Sequence, residues 1–125
     1  MRLFKRTPKL EANFQPTLAI ARELAKEVEV NGALTLRNTG RDAELTDLAL
    51  VLVAGGTRRI DLELPAAWRG TVRIPAGGAL TEQVAWKVKL AAPMRAPAAE
   101  IQVITTEGGK HQPLALSPRF PLGNE

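Results

Sequence analysis

Apolar and polar residues alternate singly along most of this chain, which is the period of a half-buried β-strand and not of a helix. The clearest run is Thr81–Leu90, where Val84, Trp86, Val88 and Leu90 share one face. Gln83, Ala85, Lys87 and Lys89 take the other, and a helix would scatter the four apolar residues around its axis. Ile60, Leu62 and Leu64 alternate with Arg59, Asp61 and Glu63 in the same manner. Val28, Val30, Leu34 and Leu36 keep even parity through Gly32, which predicts a long strand with a bulge or a close backbone approach at the glycine. Leu48, Leu50 and Leu52 form another set, with Val51 and Val53 making the second face apolar as well. Ile101 with Val103 marks a further strand, and Val72 with Ile74 and Leu114 with Leu116 mark short ones.

Turn residues fall between these runs. Asn38-Thr39-Gly40-Arg41-Asp42 ends the long early strand, and Gly55-Gly56 between two alternating runs is a hairpin signature, because a tight turn needs positive φ. Pro75-Ala76-Gly77-Gly78 and Glu107-Gly108-Gly109-Lys110 repeat the signal. Ala91–Ala99 holds Pro93 and Pro97 and reads as a crossover loop between sheets. Leu18–Lys26 is ambiguous: Ala19, Ala21, Glu23, Leu24 and Ala25 suit a helix that Pro16 would start, whereas Leu18 and Ile20 alternate. A sandwich needs a first strand there, so the strand is preferred. Short strands separated by turns every ten residues or so predict an all-β protein. The expected form is a two-sheet, mostly antiparallel immunoglobulin-like sandwich with at most one short helix.

Composition adds boundaries to that picture. The 125 residues suit one domain, and no cysteine is present for a disulfide, a thiolate nucleophile or a thiolate zinc site. Aromatics are 4% against 45% hydrophobic residues, so the core must be aliphatic, with Trp68 and Trp86 as its bulky members. The net charge of +4 is carried by Arg2, Lys5, Arg6 and Lys9, since Leu10–Glu125 holds equal numbers of basic and acidic residues. The basicity therefore belongs to an N-terminal arm, residues 1–9, expected to be a flexible, solvated terminus, with contact to phosphates or an acidic membrane surface as the alternative. Leu3 and Phe4 run straight into Lys5 and Arg6, which is not the apolar stretch of a secretory signal, and no run is long enough to span a membrane. The expectation is a cytoplasmic protein: arm 1–9, one sandwich 10–122, and a tail 123–125.

Chemistry is sparse. His111 and Ser117 are the lone histidine and serine; no Gly-x-Ser-x-Gly elbow surrounds Ser117, and no orienting carboxylate accompanies the pair. Asp42, Glu44 and Asp47 form the one acidic cluster, without a calcium-loop pattern and with Arg41 among them. Asp61 and Glu63 share a strand face that reads as solvated. The glycine doublets lack the Gly-Lys-Ser/Thr of a phosphate loop. No catalytic, metal or cofactor residue is expected. Trp86 belongs to the core by its parity, while Trp68, followed by Arg69, is read two ways, as a plug at the end of the sandwich or as a contact surface.

Several of these segments resemble arrestin-like β-sandwiches, in particular the bacterial sporulation-control proteins of that superfamily. Ile74-Pro75-Ala76-Gly77-Gly78 is similar to the family's turn before a strand, and Val84–Leu90 to the strand that follows. Ala92-Pro93-Met94-Arg95-Ala96-Pro97, leading into Glu100–Thr106, resembles its crossover, and Val28–Leu36 with Gly32 resembles its Val-x-Gly stretch. Ala25 and Lys26 stand where that stretch has a preceding Pro-Gly, and the family pairs two sandwiches where this chain has room for one. The likeness covers residues 17–112 by pattern. It implies a non-enzymatic scaffold or regulator acting through protein contacts, and it transfers no site residue. The expected partner is a protein, another or a second copy, held at a sheet edge or by loops. A basic-arm tether to nucleic acid or anionic membrane is the alternative, with a carbohydrate-binding or hydrolytic sandwich third.

Overall fold

A computed structural model describes residues 9–107 and 110–125 of the protein. Its strands are β1 (Leu10–Arg22), β2 (Glu27–Asn38), β3 (Ala43–Leu45), β4 (Leu48–Ala54), β5 (Arg58–Leu62), β6 (Val72–Ile74), β7 (Ala79–Lys89), β8 (Ala98–Glu107), β9 (Lys110–Leu116), β10 (Phe120–Pro121) and β11 (Gly123–Asn124). One 3-10 turn, Ala66–Trp68, is the nearest thing to a helix among the described residues. The strands form a sheet ordered β11-β1-β2-β7 and another ordered β10-β8-β4-β5, in which β9 also pairs with β8. All pairings are antiparallel except that of β11 with β1. The result is the expected all-β sandwich, built around one core.

Alternation decides which side chains enter that core. Along β2, Val28, Val30, Leu34 and Leu36 are buried, whereas Glu29, Asn31, Ala33 and Thr35 between them are half-buried or turned outward. On β7 the buried residues are Val84 and Trp86. Leu50, Leu52, Ile101 and Val103 supply the facing layer from β4 and β8. Trp86 is 5% exposed and lies 6.2 Å, centroid to centroid, from Phe14, which in turn meets Phe120 at 5.0 Å. At Gly32 the predicted close approach is present. A Cβ there would collide with the Gln15 carbonyl oxygen and lie 2.8 Å from the Phe14 ring.

The ambiguous segment resolves as strand to Arg22 and as turn beyond it. Leu18–Arg22 pairs with Glu27–Asn31, and Lys26, at φ 51°, donates its N–H to the Glu23 carbonyl. Pro16 is tolerated because it faces Gly32 at a non-hydrogen-bonded position of the β1–β2 ladder, just before the register shift, so no ladder bond is demanded of its nitrogen. Gly55 and Gly56 have φ of 61° and 82°, the positive values the β4–β5 hairpin requires.

Two features depart from the sequence reading. The short strands β3 and β6 pair only with each other, as a ribbon where the chain twice crosses between sheets. Residues 123–125 are not a tail: Gly123 and Asn124 pair in parallel with Ile20 and Ala21, and Glu125 donates its N–H to Ala21 at 2.9 Å. Asn124 also brackets Ala96, accepting from its N–H at 3.1 Å and donating to its carbonyl at 2.9 Å. Polar backbone pairing holds this segment, which is why an apolar pattern could not reveal it.

Candidate interaction edge

A sandwich leaves its outer strands with unpaired backbone groups, and natural proteins usually shorten, interrupt or cover them. Among the described strands of the two large sheets, three outer edges are treated so. The β5 edge is five residues long, and β9 carries Pro113 beside a register shift. The β1 edge is interrupted at Pro16 and covered by β11 at Ile20–Ala21. The fourth edge, β7, runs eleven residues and pairs with β2 in unbroken register from Ala79 to Lys89.

The two ends of that ladder fix which groups point outward. Asn38 donates its N–H to the Gly78 carbonyl, and Leu90 donates its N–H to Lys26, so even-numbered residues face β2 at both ends. Antiparallel ladders alternate strictly, so the N–H and C=O groups of Thr81, Gln83, Ala85, Lys87 and Lys89 point away from the sheet. No hydrogen bond to these outward groups is found among the described residues. The inward row at the same edge holds Val84 and Trp86 flanked by half-buried Leu80, Glu82 and Val88.

Both ends of β7 are firmly anchored. Asn38, 1% exposed, donates from Nδ2 to the carbonyls of Arg41 at 2.6 Å and Ile74 at 2.8 Å. Its Oδ1 accepts from the Gly40 N–H at 2.9 Å, and its carbonyl accepts from Gly77 in the turn that leads into β7. In that turn Gly77 has φ 77° and Gly78 donates to Pro75 at 2.8 Å. At the far end Glu27, its side chain 7% exposed, accepts from Lys89 at 3.0 Å and lies 3.2 Å from Arg22 and 3.8 Å from Lys87. The hydrogen bond from Lys89 holds the Glu27 carboxyl below its ordinary range against the opposing effect of burial. The hydrogen bond from Arg22, 2.7 Å long, does the same for Glu29 and raises the Arg22 guanidinium in turn.

The residues singled out by sequence lie elsewhere. Trp68 is 1% exposed and belongs to the core, so it offers no contact surface. The 3-10 turn sends Trp68 inward and leaves Arg69 outside, paired with Glu63 at 3.1 Å. The Trp68 Nε1 is buried without a partner among the described residues. Of the basic arm, Lys9 is exposed and its carbonyl accepts from the Thr39 N–H and hydroxyl, while Arg2, Lys5 and Arg6 lie outside the described residues. Ser117 is buried, donating to Pro118 and accepting from the Ile101 N–H at 2.9 Å, so its hydroxyl is committed to joining strands. His111 instead contacts Thr106 at 3.3 Å on the exposed part of β9. The acidic cluster disperses: Asp42 accepts from the Ala76 N–H and Glu44 pairs with Arg73. Among the described residues no group of three or more His, Cys, Asp or Glu side chains converges as a metal site would. Among the described residues no helix is long and apolar enough to cross a membrane.

No protein-family model matches the chain, and no curated protein does. Solved structures do resemble it. The structural-genomics target SoR45 is 14% identical with a TM-score of 0.54, over 93% of this chain and 87% of that one. The putative ApaA protein from Bordetella pertussis is 12% identical with a TM-score of 0.54, over 95% and 96%. The alkylpurine DNA glycosylase AlkC of Pseudomonas fluorescens, bound to DNA containing an abasic-site analog, matches over 94% of this chain but 31% of its own, at 12% identity and a TM-score of 0.49. That last likeness is too distant to bear on function, and the first two speak for the fold alone.

Proposed function

We propose that this protein is a non-enzymatic interaction module that takes an extended segment of a partner protein onto β7 as an added strand. One observation carries the reading: β7 is the only edge among the described strands that is long, in continuous register, and left with its outward backbone groups unpaired. Main-chain hydrogen bonds then supply affinity and alternate side chains supply selectivity. The rigidity of the strand supports the same reading, since both ends are anchored and little ordering would be needed on binding. The arrestin-like resemblance of Val84–Leu90 and the following crossover fits a scaffold role.

Displayed random peptides selected against the folded protein test this directly. Selected binders should slow amide exchange at Thr81, Gln83, Ala85, Lys87 and Lys89, and should lose affinity for an Ala85→Pro variant. Proline at 85 removes an N–H that bonds to nothing in the sheet, so it blocks an incoming strand while leaving the β2–β7 ladder whole. Selected binders that map to other surfaces and ignore Ala85→Pro would refute the proposal.

A further inference from the structure

Charge along the β7 edge is uneven. Its outward row begins Ala79, Thr81, Gln83, Ala85 and ends on Lys87 and Lys89, whose side chains are 64% and 75% exposed. Behind them on β2 lie the carboxylates of Glu29, opposite Lys87, and Glu27, opposite Lys89, both of which also pair with Arg22. These two lysines are the only charged residues of the outward row, so a strand added at this edge meets positive side chains and no carboxylate of β7 there. The inward row beside them is apolar through Val84, Trp86 and half-buried Val88, and it ends at Glu82, a carboxylate at an inward-facing position.

A strand added to this edge would place its side chains in register with both rows. Residues directly opposite in a ladder have Cβ atoms about 4.5–5.5 Å apart, and opposite charges there attract while like charges repel. The residues facing Lys87 and Lys89 lie two apart on the outer face, and the residue between them lies against Val88 on the inner face. Resting on the strand-addition reading, we infer that the partner segment alternates acidic with apolar residues and docks opposite Val84–Lys89. Glu82 sets the limit of the footprint, since an apolar or acidic residue opposite it would be left against a half-buried carboxylate. A second copy of β7 does not meet the requirement, because its outward row brings no carboxylate to the lysines.

Two synthetic eight-residue peptides test the chemistry, one alternating valine with glutamate and the other valine with lysine. Each is titrated into isotopically labelled full-length protein and followed at the β7 amides. The glutamate peptide should bind about tenfold or more tightly than the lysine peptide. It should protect Ala85, Lys87 and Lys89, and should lose that advantage in a Lys87→Gln/Lys89→Gln double variant and in salt of about 0.5 M. Equal binding of both peptides at the edge would overturn the acidic assignment and leave strand addition standing. Binding of neither, with β7 amides that become protected as protein concentration rises, would overturn it in favour of a second copy. Binding of neither with an unprotected edge would overturn it outright, while the peptide selection with Ala85→Pro decides strand addition separately.

Discussion

The indole N–H of Trp86 donates to the backbone carbonyl of Glu63 at 2.7 Å, tying the inner face of β7 to the chain leaving β5. Trp86 is thus both core filler and cross-sheet tie. Trp86→Ala should destabilise the protein by about 3–5 kcal/mol, as deletion of a buried aromatic does. Trp86→Phe should additionally expose the value of the bond, about 1 kcal/mol, with more if the Glu63 carbonyl stays buried. The same change at Trp68 removes an N–H that has no partner among the described residues, so it should show no such polar loss. Denaturant titrations of the three variants measure the difference; a loss below about 1 kcal/mol for Trp86→Ala would mean the side chain contributes little to the core.

Asn38 is buried with all its side-chain polar atoms bonded, across the end of β2 and the turn into β7. Replacing it with Leu keeps the branched shape but strands the Ile74 and Arg41 carbonyls and the Gly40 N–H. Asn38→Leu should cost at least about 2 kcal/mol, since each buried unsatisfied group costs about 1–3 kcal/mol. Thermal unfolding reads the loss, and an unchanged midpoint would show that water reaches those groups.

Acid should weaken the far end of β7. Glu27 and Glu29 have carboxyls held below their ordinary range by Lys89 and Arg22 respectively. A lowered folded pKa means the folded state binds fewer protons than the unfolded one, so these groups stabilise the fold above the ordinary carboxylate range. That contribution begins to fade as pH falls into the ordinary carboxylate range and is lost once pH has fallen through the lowered folded values. Stability measured against pH should therefore be flat above about pH 5.5 and decline below it. Glu27→Gln should flatten part of the decline, and an identical acid limb in that variant would remove Glu27 from the account.

The even parity of Val84, Trp86, Val88 and Leu90 made β7 legible in the sequence, as did the glycines of the β4–β5 turn and the tight place at Gly32. These follow from local rules: pleat parity, positive φ and the lack of a Cβ. What determines the edge is not local. Whether β7 ends a sheet depends on which strands pair, and one-dimensional alternation is the same in a central strand and an outer one. Trp68 was undetermined because a 3-10 turn, not a pleat, aims it inward. Asn38 looked like an ordinary turn residue, and its burial comes from the Ile74 carbonyl, 36 residues away in sequence. Gly123 and Asn124 pair through backbone and amide groups, which leave no hydrophobic signature.

The basic arm divides the proposed module from the tether alternative. The Lys9 carbonyl bonds to Thr39, so a clean deletion removes residues 1–8 and keeps that anchor. The deleted protein should fold with unchanged midpoint and keep its binding at β7. Polyanion binding that is tight at physiological salt and vanishes on deletion would favour the tether.

Amide hydrogen exchange in the unliganded protein tests the open edge most directly. The N–H groups of Val84, Trp86 and Val88 bond to β2 and should exchange slowly, at rates set by opening of the sheet. Those of Thr81, Gln83, Ala85, Lys87 and Lys89 should exchange at least about a hundredfold faster, giving an odd–even alternation along one strand. Uniform slow exchange from Thr81 to Lys89, at every protein concentration, would mean the edge is already covered and would contradict the account.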